Sequence, residues 1–449
     1  MTSTADQPGT IGSLLGRCLV ALGARRAFAS VANVGPIGST GPVRTDLGLD
    51  LHAVGDAILA ALLAAADGRI GPGPGVAVLD GQRVLLTSAP GVQAEVITVS
   101  DPEYLPGALA GWTLGLVHAA VEYVLDLDLD APAPAGLEPM VLDDTSGDLL
   151  TLSPTLADFG LLILAGPGVV RSGHVVGLRA LAAQTGAGVV NTWGAKGVFP
   201  WDDPHHFGTA GMQAHDFELA GFDDAELIIA SGVDLLESPT DRWAGSAQVL
   251  EVEPWQLSSL ALRWPDPESV PAPPSLYRLL SAALADRYTS EDVPLAPARA
   301  AADLSAALPT GGLVAADAGP AGLWIARGFP TLEPGSVIVP AARQPGFAAA
   351  AALTAALGGR PAIAVVTDPV DPLTAAVLEL SEAWKQPLVL EVWGGDGPLA
   401  RASDHAELLG AALTGSGAER SVVRIDLPVE LADTRLLVDV AGEVVAWGA

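Results

Sequence analysis

Short, wholly apolar runs that alternate with segments of helical period constrain this chain more than any other feature. Leu161–Ala165 runs into Gly166-Pro167-Gly168 and then a helical pattern over Val175–Gln184. Ala187–Asn191, Leu227–Ser231, Leu313–Ala316, Ala362–Val366 and Leu388–Val392 repeat the apolar run. Between the last of them lie the Ala-rich segment Phe347–Leu357 and the helical segment Leu373–Trp384. A run of about five apolar residues without alternation reads as a strand buried on both faces. Strands that alternate with helices form parallel sheets covered by helix on each side. The fold expected is therefore α/β, with doubly wound parallel sheets in series.

Two proline-rich stretches cut the chain, Asp126–Pro139 and Trp264–Pro274, and both read as extended linkers. They leave blocks of ordinary domain size over residues 1–135, 150–265 and 275–449. In the first block, helices are predicted over Ile11–Ala24, His52–Ala66 and Leu109–Val124, with Gly23 as a C-cap. Two apolar runs around Asp80-Gly81 predict a hairpin between Val76 and Thr87.

Charge and cysteine content exclude several classes of function. The 449 residues carry 52 acidic against 22 basic side chains, a formal charge of −30. Such a field repels nucleic-acid backbones and anionic membranes, so neither is an expected partner. The single cysteine, Cys18, permits no internal disulfide and no multi-cysteine zinc site. No apolar run reaches the length of about 18 residues that a membrane span requires, and the first residues do not read as a signal peptide. A cytoplasmic protein is the expectation.

The loop after Ala187–Asn191 carries a resemblance. It contains Ala195-Lys196-Gly197-Val198-Phe199-Pro200, then Asp202-Asp203-Pro204-His205, then Gly208-Thr209-Ala210-Gly211-Met212. This succession resembles the central domain of thiamine-diphosphate (ThDP) enzymes of the acetolactate synthase type, whose loop has a Gly-Lys-Gly-x-x-Pro step, an acidic His/Pro stretch and a Gly-x-x-Gly-Met turn. The resemblance implies three domains: pyrimidine-binding, central and diphosphate-binding. The two outer blocks are shorter than in that plan.

The same resemblance implies where a cofactor would sit, and position by position the outer blocks depart from it. The family's catalytic Glu falls on Ala53, in His52-Ala53-Val54-Gly55-Asp56; Asp56 stands one helical turn on and also reads as an ordinary acid at a helix start. The metal motif, Gly-Asp-Gly followed by an Asn pair, falls on Thr367-Asp368-Pro369 and Gly394-Gly395, leaving Asp368 as the one metal ligand. Asp371 and Thr374 read as helix-start residues. The literal Gly395-Asp396-Gly397 follows the wrong strand and reads as a turn. Pro345 replaces the Met that wedges the cofactor, in front of Gly346. Asp317-Ala318-Gly319 keeps the Asp-x-Gly that cradles a diphosphate at a helix N-terminus.

Gly166 and Gly168 stand where central domains of the family meet an adenine nucleotide such as FAD, and a packing turn is the alternative. His205 and His206 are discounted as metal ligands because adjacent His side chains diverge. Ser88, in Thr87–Gly91, resembles a family turn, and Trp193, Trp201 and Trp324 are expected to anchor cores and interfaces.

The leading expectation is an acetolactate synthase-like homologue whose cofactor site is eroded, acting as a binding or partner subunit. One alternative is an active ThDP- and Mg-dependent lyase or transferase on 2-oxo acids; another is an adenine-nucleotide-binding module. The family plan and the Ala/Leu-rich segments Asp56–Ala66 and Phe347–Leu357 imply a homodimer, or a heteromer with a full-length ThDP enzyme.

Overall fold

The computed structural model describes residues 9–30, 47–80, 82–88, 94–99, 101–118, 122–141, 159–264, 272–414 and 421–448. They fall into two compact units, Met1–Asp144 and Thr145–Ala449, the second holding two sheets. Residues 142–158, and residues 265–271 of the second linker, lie outside the described residues; the first linker is corrected, because Leu127, Leu129 and Ala133 pack into the core of the first unit. Among the described residues no helix is long and apolar enough to cross a membrane.

The first unit contains α1 (Ile11–Ala21), β1 (Arg26–Ser30), β2 (Asp50–Val54), α2 (Ala57–Ile70), β3 (Gly75–Val78), β4 (Arg83–Thr87), β5 (Ala94–Thr98), α3 (Leu105–His118) and β6 (Glu122–Asp126). Its sheet has the order β2-β1-β3-β4-β6-β5. It is parallel except at β4, which runs against β3 and β6. α1 and α3 cover one face through Leu14, Leu15, Cys18, Leu105 and Leu109, packed on Val76, Val84 and Leu125.

Two of the helices expected in this unit are corrected. His52–Ala66 is a strand followed by a helix. Asp50–Val54 pairs in register with Arg26–Ser30, and Asp56 starts α2 by accepting a bond from Leu59 N at 2.8 Å. Leu109–Val124 likewise ends as helix at His118, because Tyr123 and Val124 join the ladder between β4 and β5. The expected hairpin is β3–β4; Gly81, and Ala89 to Gly91 beside Ser88, lie outside the described residues.

The second unit opens with β7 (Leu161–Ala165), α4 (Pro167–Arg171), α5 (Val175–Thr185), β8 (Gly188–Thr192), β9 (His206–Ala210), α6 (Asp216–Leu219), β10 (Leu227–Ser231), β11 (Gln248–Glu251) and α7 (Leu257–Ala261). The sheet order is β11-β10-β7-β8-β9, all parallel. Alternate strand residues face opposite cores. Ile163, Val189 and Ile229 meet α5 and α7 through Leu178, Leu181 and Leu257. Leu164, Val190 and Ile228 meet Phe207, Phe217 and Phe222 on the other side. Both faces are buried, which is why the strands read as unbroken apolar runs.

The chain continues through α8 (Ser275–Leu284), α9 (Pro297–Ala307), β12 (Leu313–Ala316), α10 (Pro320–Gly328), β13 (Val337–Ile338), α11 (Phe347–Leu357), β14 (Ala362–Thr367), α12 (Pro372–Trp384), β15 (Leu388–Trp393), α13 (Asp404–Thr414), β16 (Val422–Leu427) and α14 (Thr434–Ala441). The third sheet, β13-β12-β14-β15-β16, is also wholly parallel. Helix α11 buries Phe347 through Ala356 against β12, β14, β15 and α12. The small alanine side chains let this helix lie close on the sheet.

Polar contacts dock the two sheets of this unit. Gln213 donates to Leu437 O at 2.9 Å and Gly442 O at 2.7 Å. Arg327 on α10 is buried and pairs with Asp216. Gly197, at φ +91°, lies so close to the third-sheet segment that a Cβ would fall 2.4 Å from Glu333 O.

Candidate functional site

Ligands of doubly wound sheets bind beyond the carboxyl ends of the strands, and in the third sheet that edge carries Asp317, Asp368 and Gly394–Gly397. Asp317 follows β12, and its carboxylate accepts a bond from Ala348 N at 2.7 Å. It thereby satisfies an amide in the first turn of α11, whose N-cap Gly346 sits at φ +79° and has no side chain to do so. Burial pushes the Asp317 carboxyl up to about 7, opposed by the bonds from Ala348 and Gly346 and reinforced by Asp371. Gly319 (φ +135°, ψ −157°) caps α10 in a conformation suited to glycine, with open space where a Cβ would stand.

The remaining groups on this edge are occupied or isolated. Asp368 is exposed, and its backbone N–H donates to Trp393 O at 3.0 Å. Asp371 caps α12 through Leu373 N (2.9 Å) and Thr374 N (3.0 Å), and also accepts from Thr374 Oγ1 at 2.5 Å. Gly394 bends at φ +86° and donates to Leu427 O at 3.0 Å. In the Gly395-Asp396-Gly397 turn, a Cβ on Gly397 would fall 1.8 Å from Asp426 O, so this glycine exists for packing. Pro345 is exposed. Among the described residues, no group of three or more His, Cys, Asp or Glu is arranged to hold a metal.

The first unit brings Ala53 to β2, where His52 stacks on Phe28 with centroids 5.7 Å apart. Burial lowers the His52 pKa, helped by Arg26. Asp56 uses its carboxylate as a cap on α2.

In the central sheet, Gly166 and Gly168 donate to Ser231 O at 2.9 Å and Gly232 O at 2.8 Å. A Cβ on Gly166 would lie 2.1 Å from Gly232 O. The glycines let the turns after β7 and β10 interlock, and these two amides are used inside the chain. This is the geometry of the packing-turn alternative.

The family model described as "Thiamine pyrophosphate enzyme, central domain" matches residues 160–258. An acetolactate synthase from Mycobacterium avium is 33% identical over 95 residues, 20% of this chain and 15% of that protein. The match therefore spans a small part of that relative's length. A solved Mycobacterium smegmatis chain, described as a candidate thiamin diphosphate-dependent enzyme, superposes with a TM-score of 0.65. That alignment covers 94% of this chain and 99% of the other at 16% identity, a likeness of fold.

The central block is similar to a thiamine pyrophosphate enzyme central domain.

The chain as a whole shares the fold of that solved chain, three mostly parallel sheets flanked by helices. ThDP is bound through a divalent cation with hard oxygen ligands, which bridges the diphosphate to the protein. The residues on the third-sheet edge do not fit that group. Asp368 is the single carboxylate at the family's metal position, Pro369 offers no amide, and the Asp317 carboxylate sits on the start of α11.

Elsewhere in the second unit lies a pocket of about 250 Å³ that the sequence reading did not anticipate. It opens between the β9 edge of the central sheet, α8 and α10. Lys196, His206, Arg327 and the tyrosines Tyr277 and Tyr288 supply its polar lining. Trp201, Leu280, Leu284, Phe329 and Pro330 supply its apolar walls. Trp201, expected to anchor a core or an interface, is 44% exposed and lines the pocket. Trp193 and Trp324 are buried as expected. His205 and His206 diverge: His205 Nδ1 lies 2.9 Å from Ala187 O, while His206 turns into the pocket.

The Lys196 side chain, on a residue 4% exposed, ends in this pocket with no hydrogen bond or ion pair to any described residue. Burial lowers its pKa to about 7, and the charge of Arg327 adds to the effect. Burial, and then Lys196, push His206 down to about 3, so the imidazole is neutral. One signal was available in the sequence. Lys196 is one of two lysines in the chain, the other being Lys385.

Proposed function

We propose that this chain is an acetolactate synthase-like homologue that lacks a working ThDP–Mg site and acts by binding, as a ligand-binding or partner subunit. One observation carries the reading. The Asp317 carboxylate caps α11, Asp368 stands exposed, and among the described residues no group of three or more His, Cys, Asp or Glu is arranged to hold a metal. Mg²⁺ demands near-octahedral oxygen coordination, and one exposed carboxylate does not supply it.

The decisive measurement is titration calorimetry with ThDP in the presence of Mg²⁺. No saturable heat is expected at micromolar ThDP. A saturable signal that disappears in Asp368→Ala would instead establish an active-type site and restore the lyase or transferase reading on 2-oxo acids.

The interlocked glycine turn leaves the adenine-nucleotide reading without support from Gly166 and Gly168. Assembly as a homodimer, or with a full-length ThDP enzyme, belongs to the same proposal and rests on the family's plan.

A further inference from the structure

The pocket under Trp201 has an unusual charge balance. Arg327 is not free to receive a ligand anion. It pairs with Asp216 and donates to Thr209 O and to Gln213 Oε1. Tyr277 and Tyr288 are likewise committed, donating to Trp201 O and Gly328 O, both at 2.9 Å. His206 sits edge-on to Tyr277 with ring centroids 5.7 Å apart. What remains is Lys196, a nearly buried amine with no counter-charge, facing Trp201, Leu280, Leu284 and Phe329.

A buried cation is tolerated when it is paired, and an unpaired one shifts toward its neutral form. Here the protein supplies no partner, so the partner is open to a ligand. The charge sets the ligand class. One available cation balances a monoanion, whereas a phosphate dianion would leave excess negative charge among apolar walls. The walls set the rest, since they are mainly apolar and the Ser281 hydroxyl among them is engaged with Tyr277. A volume near 250 Å³ suits a small molecule and falls at the lower end of ligand pockets.

We propose that this pocket binds a small monocarboxylate with an apolar tail, its carboxylate paired with Lys196 and its tail lying against Trp201, Leu284 and Phe329. The site is separate from the third-sheet edge and stands whether or not ThDP binds there. Pairing also has a proton consequence. A carboxylate beside Lys196 favours the ammonium, so binding at a pH where the amine is partly neutral takes up a proton.

The test uses the full chain and phenylacetate, titrated calorimetrically at pH 8 in two buffers of different ionisation heat. Phenylacetamide, the same tail without charge, is the control. Saturable binding of phenylacetate is expected, with proton uptake, and roughly tenfold or weaker affinity for the amide. Lys196→Met should weaken phenylacetate by about tenfold or more, equivalent to about 1.4 kcal/mol. Lys196→Arg keeps the charge, so it should bind the carboxylate without proton uptake; this variant also serves if Lys196→Met does not fold. The proposal is overturned by absence of saturation in the native protein, by equal affinity for acid and amide, or by Lys196→Met binding like the native chain. Native binding without proton uptake overturns it as well.

Discussion

Two buried cationic residues in the second unit shift their pKa values in opposite directions, and the difference lies in what faces them. Lys196 has no carboxylate partner, and burial lowers it to about 7. Burial would also lower His405, but Glu391 at 2.8 Å and Asp303 at 3.1 Å outweigh it and hold the imidazole at about 9. Arg299 bonds the same Asp303 and steadies the arrangement between α9 and α13. The signs follow by linkage. His405 binds its proton more tightly folded than unfolded, so its contribution is full below about pH 6.5 and vanishes as pH rises through about 9. Lys196 binds its proton less tightly folded, so its contribution is full above about pH 10.4 and vanishes as pH falls toward 7. The windows overlap and partly cancel in the native protein. Urea midpoints between pH 6 and 10 should therefore separate them only in variants. Lys196→Met should be more stable than the native chain near neutrality and should decline more steeply toward pH 9. Glu391→Gln should lose the alkaline decline that His405 causes. Parallel profiles for all three proteins would show that neither group is shifted in this way.

At the scale of elements, the turn at Gly395-Asp396-Gly397 shows how packing accounts for a motif that looks chemical. A Cβ on Gly397 would sit 1.8 Å from the backbone oxygen of Asp426 at the end of β16. Gly397→Ala should therefore force the β15 and β16 ends apart and cost about 1–3 kcal/mol, as overpacking does. Asp396→Asn should leave the denaturation midpoint nearly unchanged. Equal effects of the two substitutions would contradict a packing role. Much of this architecture was legible in advance. In the second unit, strands buried on both faces give unbroken apolar runs, and β7, β10, β12, β14 and β15 stand where such runs predict them. The failures come from competing local signals. His52–Val54 carries no apolar run, and its strand character comes from pairing with β1, which periodicity along the chain does not reveal. The strand β9 was hidden for a similar reason. His206-Phe207-Gly208-Thr209-Ala210 looks like loop, and its conformation is fixed by the ladder with β8. The pocket was illegible because it joins Lys196 and His206 to Tyr277 and Arg327, residues far apart in sequence that meet only when the two sheets dock.

For the molecule as a whole, α2 and α11 change the basis of the expected assembly. Their alanines and leucines were read as surface for a partner, but the folded chain already consumes them. Leu59 through Arg69 of α2 are largely buried in the first unit, and Phe347 through Ala356 of α11 are buried in the second. Composition in these helices is thus explained without a second chain, and assembly is carried by the fold-level plan alone. The formal charge of −30 sets a further condition. Two such chains repel at low ionic strength, while at about 0.15 M salt the screening length falls to about 8 Å and the repulsion becomes local. A dimer held by apolar packing should therefore be weakened below about 0.02 M salt and unaffected by raising salt above about 0.15 M. Light scattering at low micromolar concentration measures this directly. The expected mass is near twice 45.4 kDa at the higher salt. A mass of one chain at every ionic strength would remove the homodimer, and co-elution with a purified full-length ThDP enzyme would then be the remaining form of the partner reading. Its failure under the same conditions would leave the protein a monomeric binder, with the Lys196 pocket as the site to pursue.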